Sequence, residues 1–189
     1  MKLPNLLGLF RPKTKPMARM GFGPNRVVVE VRRAIRDPVT KLSVKDEAGK
    51  VIYSPELEVQ ENHNITTYMG LEAAKDRLFN SATAQTVAYY IALSESNDTP
   101  AVGDTQVADE ITLSGLARAT ATYSVAGCTT GECILSNAFT ATASIAGVCL
   151  MGLLDAASTG DLYFYATFTS VALESDDQLT AKWDKIALT

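Results

Sequence analysis

The chain has 189 residues, 47% of them hydrophobic and 20% charged, with a net charge of −4 and a mean hydropathy of +0.05. That length and balance suit one domain with a sizeable core plus an arm, and argue against two full domains or a disordered or collagen-like chain. The longest apolar run, Ala143 to Leu154, is broken by Ser144, Gly147 and Gly152 and falls short of the roughly 20 residues of a membrane helix, while a single histidine, His63, excludes any site that needs two imidazoles.

The net charge hides a split. Through Arg36 there are nine basic residues against Glu30 alone, and the remaining chain carries 8 basic and 20 acidic side chains. Residues 1–26 read as a basic, Pro-rich arm on an acidic body, with Lys2, Arg11, Lys13, Lys15, Arg19 and Arg26 interleaved with Pro4, Pro12, Pro16 and Pro24. Such an arm has three uses: docking on the acidic surface of a neighbouring copy, contact with nucleic acid, or contact with anionic lipid. The first is favoured, because these charges are spread out rather than clustered as in a phosphate-binding stripe. Leu3 to Phe10 is a poor secretion signal, since Pro4 and Gly8 interrupt it and Arg11 and Lys13 follow with no small-residue cleavage site. A chain made in a reducing compartment implies no disulfide framework. Cys128 and Cys133 flank Thr-Thr-Gly-Glu in an expected hairpin turn and are candidates for a bond formed after release, and Cys149, in an apolar run, reads as core.

The remaining 27–189 reads as a single mainly β domain. Val27 to Val31 is a β-branched strand ending before the Asp37-Pro38 turn, and Lys41–Val44 and Val51–Tyr53 form a hairpin around Asp46-Glu47-Ala48-Gly49, so that 27–62 is a hairpin region. Pro55 breaks the pattern, and Leu57 to Val59 is extended. Thr66 or Thr67 caps a helix over Gly70–Phe79, with Leu71, Ala74 and Leu78 on one face. Beyond it the period becomes two. Val87 to Leu93 is a central strand buried on both faces, and Ser94–Asp109 is a loop long enough to cross between sheets. Ala117–Tyr123, Phe139–Ile145, Leu162–Phe168 and Leu179–Trp183 alternate apolar with polar, and Val148–Leu154 is apolar throughout. These short, regularly spaced strands predict an antiparallel β-sandwich or barrel-like body with one short helix and an extended N-terminal arm. The Ala-rich faces bury little area, which makes subunit contacts and a homo-oligomer the expectation.

Little in the chain points to catalysis. No G-x-S-x-G, phosphate-binding loop, dinucleotide fingerprint or HExxH is present, so the chain reads as non-enzymatic, with no catalytic residue, no metal site and no cofactor. His63 reads as a capping or surface residue. Asp98, Asp104, Asp109 and Glu110 lack the alternating spacing of a calcium loop and read as turn formers. Asn64-Ile65-Thr66 and Asn97-Asp98-Thr99 match the glycosylation pattern in form only. Tyr163, Tyr165 and Trp183 are candidate ligand-facing aromatics if they share one exposed patch, and core residues otherwise.

Three stretches together carry a resemblance. Asn64-Ile65-Thr66-Thr67-Tyr68-Met69-Gly70-Leu71 leads into the helix. Tyr90-Ile91-Ala92-Leu93-Ser94 is followed by Thr99-Pro100-Ala101, Asp104-Thr105, Glu110-Ile111, Gly115-Leu116 and Arg118. Phe139 to Thr142, Gly147-Val148, Gly152-Leu153, Phe168 and Leu179-Thr180-Ala181-Lys182-Trp183 close the chain. Over Asn64 to Thr189 this resembles a family of virion structural proteins of tailed bacterial and archaeal viruses, of the tail-fibre-like or decoration type; Ser94 stands where that pattern has Gly. The resemblance implies a structural subunit of the virus particle, made in the host cytoplasm and located in the virion, whose partners are other virion subunits. It leaves open a receptor- or carbohydrate-binding fibre module and an inner capsid protein that contacts nucleic acid. A membrane is not among the expected partners.

Overall fold

The computed structural model describes residues 26–79, 88–128 and 132–187. Two five-stranded antiparallel sheets face each other. The first has the order β2-β1-β10-β7-β6 and the second β3-β9-β8-β4-β5, where the strands are β1 (Arg26–Ala34), β2 (Tyr53–His63), β3 (Ile65–Thr66), β4 (Tyr90–Ser94), β5 (Ala119–Thr120), β6 (Thr122–Ser124), β7 (Glu132–Thr140), β8 (Ile145–Leu154), β9 (Leu162–Leu173) and β10 (Gln178–Ala187). The mainly β, sandwich-like expectation is met. Between the sheets lie Val27, Val29 and Val31 of β1, Leu179, Ala181 and Trp183 of β10, and Ile91, Leu93, Met151, Leu153, Phe164 and Phe168 from the second sheet.

The single helix among the described residues, α1 (Tyr68–Phe79), starts two residues before the expected Gly70. Thr67 is its cap: its Oγ1 accepts from the Gly70 amide at 3.2 Å and its own amide donates to the Tyr163 carbonyl at 3.0 Å. A Cβ on Gly70 would stand 2.5 Å from that carbonyl oxygen, so a side chain there would force the first turn of α1 off β9.

Several expectations are corrected. Lys41–Val44 and Val51–Tyr53 do turn back on each other around Asp46–Gly49, through the Lys45–Val51 bridge and the Ile52 amide on the Val44 carbonyl, but as isolated bridges rather than strands, and β2 begins at Tyr53. Pro55 does not break β2 but lies inside it, in the irregularity where the register with β1 shifts from Arg32↔Leu57 to Ala34↔Tyr53 and no ladder partner stands opposite it. The long connection after β4 returns to the same sheet, with Ser94 bridging Glu110 and the Ile111 amide bonding to the Leu93 carbonyl. The expected strand at Ala117–Tyr123 is split: β5 pairs with β4, β6 pairs with β7, and buried Ala121 is the corner where the chain changes sheets. Phe139–Ile145 is likewise two strands joined by a turn at 141–144. β4 is one place in from the sheet edge rather than central.

Candidate assembly surface

Between β1 and β2 the chain makes an ordered excursion, residues 35–52. Three backbone bonds tie its passes together: Ile35 N–H to Ile52 O (2.9 Å), Val44 N–H to Ile35 O (2.7 Å) and Ile52 N–H to Val44 O (2.9 Å). Each of its turns is organised by one aspartate. Asp37 Oδ1 accepts from the Thr40 amide (2.7 Å), the Val39 amide (3.0 Å) and the Thr40 hydroxyl (3.0 Å), and these bonds hold its carboxyl below the usual range. Asp46 Oδ1 accepts from the Ala48 and Lys50 amides, with Gly49 at φ 78° closing the turn. The excursion thus presents its apolar residues on a fixed frame: Val39 is 85% exposed and Leu42 71%.

The base of the excursion is locked by charge. Asp177, 1% exposed, accepts from the Ala34 amide (2.8 Å), the Glu174 amide (3.1 Å), Arg33 Nη1 (3.1 Å) and Arg36 Nη2 (3.1 Å). Burial pushes the Asp177 carboxyl up, but the two amides and two guanidinium groups outweigh it and hold the group below the usual range. Arg36 also donates to the Ser175 carbonyl, the Ser175 hydroxyl to the Thr142 carbonyl and the Thr142 amide to the Ser114 carbonyl. The excursion therefore belongs to the same pole of the molecule as Leu113, which is 74% exposed.

Beside it runs β2, and its faces are reversed from what its composition suggests. Val29 and Val31 of the core stand opposite Gln60 and Glu58, so the inward positions of β2 are polar. Gln60 Nε2 reaches across to the Thr169 carbonyl at 3.1 Å, and Glu58 pairs with Arg33 at 3.0 Å. Leu57, Val59 and Glu61, opposite Arg32, Glu30 and Val28, occupy the outward face, with Leu57 and Val59 41% and 49% exposed. Among the described residues no strand pairs with the outer edge of β2. Half of its backbone polar groups face that edge, which makes it a template for another strand.

Of the residues proposed from sequence, Lys2, Arg11, Lys13, Lys15 and Arg19 lie outside the described residues. Arg26 belongs to β1 rather than to an arm, bridging Glu61 and Asp184 at 3.2 Å each. Cys128 and Cys133 are free thiols, and burial first, then proximity to Cys128, raises the Cys133 pKa, which disfavours the reactive thiolate. Tyr163, Tyr165 and Trp183 form no exposed patch: they are buried at 6%, 1% and 0% exposure. The cause for the tyrosines is that β9 is covered on both faces from Leu162 to Ala166, where a two-residue alternation predicts one open face. Trp183 instead lies on the inward face of β10, in the core between the sheets.

Two of the acidic loop residues, Asp104 and Glu110, are bonded within the fold. Asp98, Asp104 and Tyr165 line an open cleft of about 520 Å³, where Asp104 Oδ2 accepts from the Ala101 amide (2.7 Å) and the Tyr165 hydroxyl from the Ala108 amide (3.3 Å). Glu110 forms a bidentate pair with Arg118, whose Nη1 also reaches the Ala156 carbonyl at 3.0 Å. No group of three or more metal-ligating side chains occurs among the described residues, and no described helix is long and apolar enough to cross a membrane. No protein-family model, curated protein or solved structure matches the chain.

Sequence reading missed Val39, Leu42, Leu57 and Val59. The signal for the first two was their position between the aspartate turns at 37 and 46, which isolates them from either sheet.

Proposed function

We propose that this chain is a structural subunit of a tailed-virus particle that works through protein–protein contacts, as a capsid decoration or a tail or fibre component. The observation that carries the reading is the bonded excursion 35–52 continuing into β2, whose outer edge pairs with no strand among the described residues: Val39, Leu42, Leu57 and Val59 are held exposed by turns and ion pairs. Scattered apolar residues are ordinary on a protein surface, but apolar tips on a frame this well bonded are what a docking surface requires. The resemblance of the Asn64–Thr189 stretches supplies the particle as the setting. Burial of Tyr163, Tyr165 and Trp183 removes the aromatic platform on which a carbohydrate-binding reading depends.

The test is immunogold electron microscopy with antibody against the folded body, on particles purified from producing cells. Label at one fixed place on every particle is expected; its position separates head decoration from tail or fibre. Protein recovered only in the particle-free fraction overturns the reading.

A further inference from the structure

We infer that the acidic cleft of one copy of this chain, lined by Asp98, Asp104 and Tyr165, receives Lys41 from the excursion of a second copy. This deepens the assembly reading above and rests on it. None of the described lining residues is basic; Asp98, Thr99, Asp104, Thr105, Gln106 and Tyr165 supply the polar wall. Asp104 gives Oδ2 to the Ala101 amide and keeps Oδ1, and the Asp98 carboxylate accepts no bond among the described residues. Tyr165 is a second observation, independent of the carboxylates. It is 1% exposed, and its hydroxyl accepts from the amide of Ala108, itself a lining residue, at 3.3 Å, while its own proton has no acceptor among the described residues. A buried hydroxyl in that state is completed by a polar group from outside. Beside two carboxylates with oxygens to spare, that group is a cation. Burial first, and then the charges of Asp104, Asp98 and Asp109, push the Tyr165 phenol up in spite of the Ala108 bond, so three carboxylates act on one point and the hydroxyl keeps its proton. An ammonium has three donors, enough for Asp98, Asp104 Oδ1 and the remaining lone pair of Tyr165, whose proton turns to a carboxylate.

The excursion presents that ammonium. Lys41 is exposed and stands at φ 61°, a left-handed backbone fixed by the bond of its amide to the Asp37 carbonyl at 3.0 Å, and it pairs with no carboxylate among the described residues. Lys45 and Lys50 sit around Asp46 and Glu47, whereas Lys41 lies between Val39 and Leu42. Those two apolar tips meet exposed Val102, beside Gly103 of the cleft wall, when the lysine enters. Geometry selects a second copy over the same one. Arg36, anchored on the Ser175 carbonyl and Asp177, holds the excursion at the pole where Arg33 reaches the Ala172 carbonyl of β9, and Lys41 lies within one turn of it. Tyr165 is seven residues back along β9, roughly 23 Å at the rise of a strand. Its side chain packs with Ala92, Val107 and Leu162 in a cluster separate from the core between the sheets, on the face of the second sheet turned away from the first. A four-carbon side chain does not bridge that separation.

The experiment mixes unlabelled full-length chain with heavy-nitrogen chain and adds a carbodiimide, which joins an ammonium to a carboxylate only where the two touch. Peptide mass spectrometry should find Lys41 joined to Asp98 or Asp104 in pairs of mixed isotope. Lys41→Asp, a side chain that tolerates the left-handed backbone, and Asp98→Lys, at a carboxylate with no bond in its own fold, should each leave the unfolding midpoint in place. Each should weaken self-association in sedimentation velocity about fivefold at low salt. Mixed together, the two variants should associate with one another as the wild type does, since the intact tip of one meets the intact cleft of the other and the two reversed charges meet each other. Links confined to pairs of the same isotope, no link between Lys41 and the cleft, or a mixture that associates no better than either variant alone overturns the inference. Particle label tests the setting separately: retained label with a failed cross-link removes only this contact, and a cross-link formed by protein found only in the particle-free fraction removes only the particle.

Discussion

At the scale of single residues, Asp177 is where the first sheet, the excursion and the β9–β10 turn meet. Removing the charge of buried Asp177 leaves Arg33 and Arg36 with only the exposed Glu58 and Glu174 as carboxylate partners, so Asp177→Asn should cost about 2 kcal/mol, read as a lower urea midpoint with an unchanged slope. The pH dependence has a definite sign. The native carboxyl titrates below its ordinary value of 3.8, so its contribution is fully present above the unfolded pKa and is lost as the pH falls through the lower native one. The wild-type chain should therefore lose stability in that acid window, and Asp177→Asn should lose less there. An equally steep acid limb in the variant would show that other carboxylates dominate; Asp37, depressed by its own turn, is the first to test. Thr67 is the second informative residue. Thr67→Val keeps the shape but removes the cap, and should cost about 1–2 kcal/mol.

At the scale of elements, legibility followed locality. The cap at Thr67 and the Asp46–Gly49 turn were readable because each is a bargain among neighbours in sequence. The apolar run of β8 and the alternating, aromatic stretch of β9 were readable as strands because β-branched, aromatic and aliphatic residues leave few other options, though the alternation of β9 hid that both its faces are covered. What stayed hidden was register. Leu57 and Val59 look like core in a strand that alternates with Glu56, Glu58 and Gln60, and only pairing with β1 turns them outward. The same holds at Ala121, whose side chain is a plain member of an alternating strand until the chain switches sheets there. Gly115 is the converse, a residue whose role comes from a tertiary approach. At φ 79° its Cβ would stand 2.0 Å from the Thr140 carbonyl oxygen, which does not yield as a flexible side chain does. Gly115→Ala should cost about 3 kcal/mol or more, measured by thermal unfolding against Gly103→Ala, where a Cβ meets nothing.

At the scale of the whole molecule, the two poles differ in kind. One pole carries Val39, Leu42 and Leu113 on bonded turns, and at the other Arg26 begins β1, with residues 1–25 preceding it in the chain. If copies join through both of these unlike ends, the contact is heterologous and closes into a ring or propagates. The apolar pole contributes to any such contact through burial. Val39→Asp with Leu42→Asp replaces two highly exposed side chains, so the unfolding free energy should change by no more than about 0.5 kcal/mol per site. Burying even half of each in a partner is worth about 2 kcal/mol together, so self-association in sedimentation velocity should weaken about thirtyfold. Tyr123→Asp, on the opposite edge strand β6, should leave association unchanged. If the double variant associates as the wild type does, the excursion is a solvent-facing ornament and assembly runs through another surface.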